Sequence, residues 1–153
     1  MRMQLSTPIQ APADEVFAVA SDFPHAAEVV GGIDKMEMLS PANDSSEIGV
    51  GTRFRETRTM FGKQAVEEFE VVRFEPPSRY TLSTRSCGVQ FDSTVEVIPD
   101  AAGCQLVYDI HGTPKTMFAR VVGAITGPMM KGTMRKAMEK DLADIKTHVE
   151  EAK

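Results

Sequence analysis

The sequence predicts an α+β fold in which a curved, seven-stranded antiparallel sheet wraps around one long C-terminal helix, with two short helices after the first strand. Three observations predict it. From Ile33 to Gly112, strand-like segments follow one another with turn residues and no helix between them, as in an antiparallel meander. The last third of the chain instead repeats apolar residues at helical spacing. Each periodicity leaves one apolar face uncovered, and each supplies the cover the other needs.

Met3 to Ile9 alternates weakly and reads as a first strand. Pro12 then stands where helices begin, with Asp14 and Glu15 in the first turn and Val16, Phe17 and Ala20 as the apolar face. Asp22 can cap a second short helix that Gly31-Gly32 ends. Strands follow over Ile33 to Leu39, Gly51 to Met60, Gln64 to Phe74, Tyr80 to Ser86, Val89 to Ile98 and Cys104 to Gly112. The turns between them are a polar loop from Ser40 to Gly49, Phe61-Gly62-Lys63, Pro76-Pro77-Ser78, Cys87-Gly88, and Pro99 to Gly103.

The sixth strand alternates cleanly, with Val89, Phe91, Ser93, Val95 and Val97 on one face. In the seventh, Leu106, Tyr108 and Ile110 oppose Gln105, Asp109 and His111, so one side is wet and one is covered. The cover runs from Pro114 to about Glu151. Met130, Met134, Met138, Leu142, Ile145 and Val149 form an apolar stripe, and Met117, Val121, Ile125 and Met129 extend it upstream at steps of four. Gly123, Gly127-Pro128 and Gly132 interrupt that upstream part. An interior Pro costs about 3 kcal/mol and kinks a helix, so a bent or broken helix is expected there. Its use is either a gate over residues 123–132 or a static kink that steers the helix across the sheet.

Bulk properties narrow the function classes. The 153 residues suit one domain, 1–153, and 42% hydrophobic with 25% charged residues is a globular balance. A net charge of −5 lacks the basic footprint that phosphate neutralisation needs, so nucleic acid is not an expected partner. The two cysteines, Cys87 and Cys104, lie far apart and outside any CxxC pattern, which argues against a zinc site or a disulfide framework and fits a reducing compartment. No run of residues reads as a signal peptide or a membrane span, so a cytoplasmic location is expected and the Asn43-Asp44-Ser45 acceptor carries no meaning. Trp is absent, and five of the ten methionines fall between Met117 and Met138. Met is flexible and polarizable, and suits surfaces that accept varied apolar partners.

Element order and local wording together resemble the START-like, or SRPBCC, superfamily with its helix-grip fold, which includes the polyketide cyclase/dehydrase and lipid-transport families and the birch-pollen allergen. The stretch Ile9-Gln10-Ala11-Pro12-Ala13-Asp14-Glu15-Val16-Phe17 is similar to the family's opening, and Ser21-Asp22-Phe23-Pro24 to the start of its second helix. Gly49 to Glu56 resembles its third strand, and Phe74-Glu75-Pro76-Pro77-Ser78-Arg79 the turn after its fourth. The resemblance covers nearly the whole chain. It implies a cavity between sheet and helix that takes a small apolar molecule. Many relatives carry a Trp in the second helix where this chain reads Glu28-Val29-Val30, which either enlarges the cavity or is repacked.

Alternation and the helical stripe then nominate Phe54, Tyr80, Leu82, Phe91, Tyr108, Met117, Val121, Met134 and Met138 as lining residues. Each tyrosine offers an apolar ring and one hydroxyl to fix orientation. Glu56 and Arg58 are the possible polar groups of the pocket. Pointing inward, they would be buried charges in need of partners, able to hold a ligand's polar end. The rarity of fully buried charges favours the alternative, a register that places them at the wet mouth or on the outer face.

Other chemistry is thin. His25 and Glu28 offer two metal ligands without a third; His111 falls on the outer strand face; His148 forms a surface pair with Asp144. There is no nucleophile elbow and no phosphate loop. No metal or cofactor is expected. Residues 115–136 carry five basic side chains and no acidic one beside the apolar stripe. They would form either a contact with an anionic membrane surface or, as their weak clustering favours, a solvated flank.

Three functions remain. The first and preferred is a non-catalytic carrier or sensor of a small lipid-, polyketide- or aromatic-like molecule. The second is a polyketide cyclase or dehydratase working through Tyr80, Tyr108, Glu56 and Arg58, which would need an acid or base within reach of the ligand. The third is an accessory module that docks on another protein.

Overall fold

Alternation at period two becomes seven strands in the computed structural model, which describes residues 1–40, 47–60 and 62–152. The Asn43-Asp44-Ser45 acceptor and turn residue Phe61 lie outside the described residues. Strand β1 (Arg2–Ile9) is followed by helix α1 (Ala13–Ala20), a 3-10 turn (Phe23–His25) and the single-turn α2 (Ala26–Val29). Then come β2 (Ile33–Ser40), β3 (Arg53–Met60), β4 (Lys63–Glu75), β5 (Arg79–Ser86), β6 (Val89–Asp100), β7 (Gly103–Pro114) and helix α3 (Met117–Glu151). All strands join one antiparallel sheet in the order β1-β7-β6-β5-β4-β3-β2, so β1 pairs with the last strand and the meander completes the rest.

The apolar sets of sheet and helix meet as their periods require. Val95, Val97, Cys104 and Leu106 share one buried core with Met3, Ile9, Val16, Phe17 and Val30, and with Leu142, Ile145 and Val149 of α3; Met134 and Met138 pack against it half-buried. Val30 fills core space in the stretch that lacks the expected Trp. Strand β4 does not alternate cleanly because its pairing with β5 slips between Val71 and Arg73. A one-residue slip exchanges faces, so Phe74 joins Glu67, Phe69 and Val71 on the inner side and reaches Phe17 at 5.8 Å between ring centroids.

Two expectations about local structure change. Asp22 does not cap the backbone; its carboxylate accepts from His25 Nδ1 at 2.9 and 3.0 Å. Helix α3 is unbroken across Gly123, Gly127-Pro128 and Gly132, with Pro128 inside it.

Both ends of α3 are tied down. At its start, Thr116 accepts from Ala119 N–H at 3.0 Å, and Lys115 N–H donates to Gly88 O at 2.7 Å. Gly88, at φ +77°, is required twice over: any Cβ there would stand 2.8 Å from Thr116 Oγ1. Toward the other end, Gly31 N–H donates to Asp144 at 2.9 Å and Lys146 Nζ to the Pro8 carbonyl at 2.5 Å. Among the described residues no helix is long and apolar enough to cross a membrane.

Candidate functional site

The inner face of the sheet is apolar where it meets α1 and α3 and charged toward β3. Phe23 stacks on Phe54 at 4.7 Å, Phe54 stacks on Phe69 at 5.4 Å, and Tyr80 meets Phe23 edge-on at 5.1 Å. Such pairs add to area burial because ring edges carry positive and faces negative potential. The Tyr80 hydroxyl donates to Ala20 O at 2.8 Å, which fixes the ring against the end of α1. Tyr108, on the neighbouring inward row, has no hydrogen-bond partner for its hydroxyl among the described residues. Burial holds the Tyr108 phenol well above its ordinary range, with Tyr80 and Asp141 adding to the shift.

Beside these rings lies a charge cluster. Arg58 donates from Nη1 to Asp141 Oδ1 at 3.1 Å and from Nη2 to Oδ2 at 2.7 Å, while its Nε reaches Glu56 Oε1 at 2.5 Å. The three side chains are only 16%, 6% and 16% exposed for Arg58, Asp141 and Glu56. Burial works against the Arg58 charge, but Asp141 and Glu56 outweigh it and hold the guanidinium above its ordinary value. Burial also pushes Asp141 up, with Arg58 opposing. Gly32 backs the pair: a Cβ there would come within 3.1 Å of Arg58 Nη1. Glu67, paired with Glu56 across β3 and β4, is raised by burial and then by the Glu56 charge, with Arg58 opposing. A fork of two parallel hydrogen bonds fits a carboxylate, and a half-buried acid beside it is poised to share a proton.

The structure gathers six of the nine nominated lining residues into or against the core: Phe54, Tyr80, Leu82, Tyr108, Met134 and Met138. Phe91 is half-buried and lies over Gly112, where a Cβ would meet its ring at 3.0 Å. Met117 and Val121 are a correction. They are 74% and 57% exposed, on solvent rather than in the wall. Steps of four on a 3.6-residue helix advance about 40° each, so the upstream residues drift off the inner line that Met134 to Val149 occupy. None of the nine lines either of two surface clefts, one of about 630 Å³ beside Gln10 and Asp100, the other of about 280 Å³ beside Glu68 and Ser83.

Glu56 and Arg58 face inward, the orientation that the rarity of buried charges had disfavoured. Their burial is possible because Asp141 supplies the countercharge from α3. Asp141 was legible as the one acid at the edge of the stripe, three residues past Met138, but its partner was not. His148 is exposed, and Asp144 pairs with Lys140 at 2.9 Å rather than with it. His25 engages Asp22, and no group of three metal-ligating side chains exists among the described residues.

The model of the family described as polyketide cyclase / dehydrase and lipid transport matches residues 1–150. No curated protein matches the sequence. Among solved structures, a START superfamily protein from Mycobacterium smegmatis is similar at 16% identity and TM-score 0.78, over 99% of each chain. The Zhui aromatase/cyclase from Streptomyces sp. R1128 is similar at 16% identity and TM-score 0.75, over 98% of this chain and 93% of its own. A norcoclaurine synthase point mutant from Thalictrum flavum is similar at 19% identity and TM-score 0.67, over 99% and 94%. At these identities the likeness is one of fold.

Proposed function

This chain belongs to the polyketide cyclase/dehydrase and lipid-transport family, and we propose that it binds a small hydrophobic molecule between sheet and α3 as a carrier or sensor. The molecule's polar end is held near Arg58, Glu67 and the Tyr108 hydroxyl, and its apolar part lies against Leu82, Phe91, Met134 and Met138. The observation that carries this reading is the Arg58–Glu56–Asp141 cluster set into the inner face beside its aromatic core. Buried charges are costly, and a ligand with one acidic, keto or hydroxyl end is a chemical reason to keep them. Two unpaired cysteines, one of them exposed, suit work in a reducing cytoplasm. Native mass spectrometry of protein from its own host, followed by extraction, tests the reading: a retained apolar molecule with one polar end supports it. Protein that emerges empty and fails to bind an apolar fluorescent probe refutes it.

The second reading, a cyclase or dehydratase, draws on Glu67. Its raised carboxyl beside Arg58 combines a proton donor or acceptor with a cation able to stabilise an enolate oxygen. Turnover of a poly-β-keto mimic that Glu67→Gln abolishes without weakening binding would favour it over the carrier.

A further inference from the structure

The two halves of α3 present their apolar residues to opposite sides. Met134, Met138, Leu142, Ile145 and Val149 face the core. At about 100° per residue, Phe118, Val122, Ile125 and Met129 fall on the other side of the same cylinder, about 180° away. Their exposure agrees: Phe118 is 76%, Val122 37%, Ile125 77% and Met129 77% exposed. Between Ala119 and Met134 the helix stands clear of the body, and a Cβ added at Gly123, Gly127 or Gly132 meets nothing within 4 Å. Large apolar side chains clustered on solvent are unusual and mark a surface that is covered in use.

Charge says what covers it. Residues 115–136 hold five basic side chains and no acidic one, leaving twelve basic against 22 acidic elsewhere in a chain of net charge −5. Lys115 precedes the apolar face, and Lys136, on the same side of the cylinder, follows it. Among the described residues only Arg135 of the five has an acidic neighbour, Glu139 at 4.0 Å. An apolar face with basic ends and little countercharge matches an anionic lipid surface: the side chains enter the acyl boundary while the long basic stems reach the headgroups. A second copy placed on the same face would set like charges against each other, and nucleic acid would leave Phe118, Ile125 and Met129 in water.

We propose that the outward face of α3 from Phe118 to Met129 docks this protein on anionic membranes, by insertion of its apolar stripe and charge pairing at its ends. The docking stands independently of which molecule the interior takes. The test is vesicle co-sedimentation of the full chain with phosphatidylcholine alone and with phosphatidylcholine mixed with phosphatidylglycerol. Binding to the mixed vesicles should be tighter by on the order of tenfold and should weaken with salt. The double variants Ile125→Ser/Met129→Ser and Lys115→Glu/Lys136→Glu should each abolish it while leaving the denaturation midpoint unchanged, since neither pair touches the core. Equal binding to both vesicle types, binding that survives either double variant, or no binding at all overturns the proposal. So does light scattering that shows a wild-type dimer and a monomeric Ile125→Ser/Met129→Ser variant, for the face would then be an interface between copies.

Discussion

Arg58 and Asp141 meet as a two-pronged ion pair, at 3.1 and 2.7 Å, across 83 positions of sequence. The pair joins a strand near one edge of the sheet to a helix whose apolar packing lies chiefly on the other side, around β1 and β7. It thus closes the grip of the sheet on α3 and sets a guanidinium, countered by Asp141 and Glu56, into the inner face.

Arg58→Ala should destabilise the protein by about 3–5 kcal/mol, because Asp141 would remain buried without its partner. The triple variant Glu56→Gln/Arg58→Met/Asp141→Leu, which leaves no orphaned carboxylate, should recover most of that loss in urea denaturation. A single variant that costs less than about 1 kcal/mol would mean the pair is solvated and idle.

Glu67 gives a pH dependence. The folded chain binds its proton more tightly than the unfolded chain does, so its ionisation subtracts from stability at neutral pH. Stability from this group is fully present below the ordinary carboxyl value of 4.5 and is lost as pH rises through the raised folded value. Glu67→Gln should therefore be the more stable form at neutral pH, with the gap closing on acidification. A gap that widens toward low pH would reverse the assignment.

Leu142 and Ile125 should separate the two sides of α3. Leu142→Ala removes a buried side chain and should cost about 2–5 kcal/mol. Ile125→Ala removes an exposed one and should stay within about 0.5 kcal/mol of wild type. Similar costs for both would refute the reversal of the apolar face.

Filling the interior should discriminate among the nominated lining residues. Met138→Trp should weaken binding of an apolar fluorescent probe, whereas Met117→Trp should not, since Met117 is on solvent. Equal loss in both would place the probe outside the space between sheet and α3.

The segment 123–132 should exchange its amide protons faster than 138–145, as few contacts restrain it. Gly127→Ala with Pro128→Ala should slow that exchange and raise stability, each Gly→Ala change contributing about 0.5–1 kcal/mol. Wild-type exchange as slow as at 138–145 would show that the segment does not open, and a gate there would be excluded.

What the sequence alone determined was local and periodic. The seven strands were legible within two residues at each end and the long helix within three, because alternation, Gly-Pro punctuation and helical spacing are properties of neighbours along the chain. The inner faces of β6 and β7 followed from the same alternation. Tertiary structure decided what depends on distant partners. The sequence could place Glu56 and Arg58 on a common face but could not show that Asp141 would neutralise them. The slip at Val71–Arg73 that turns Phe74 inward belongs to the pairing of β4 with β5, and neither strand announces it alone. The upstream stripe of α3 misled because steps of four look continuous on paper, whereas a real helix turns about 40° with each of them. Packing chose which side of that helix met the sheet, and it left Phe118, Ile125 and Met129 facing out.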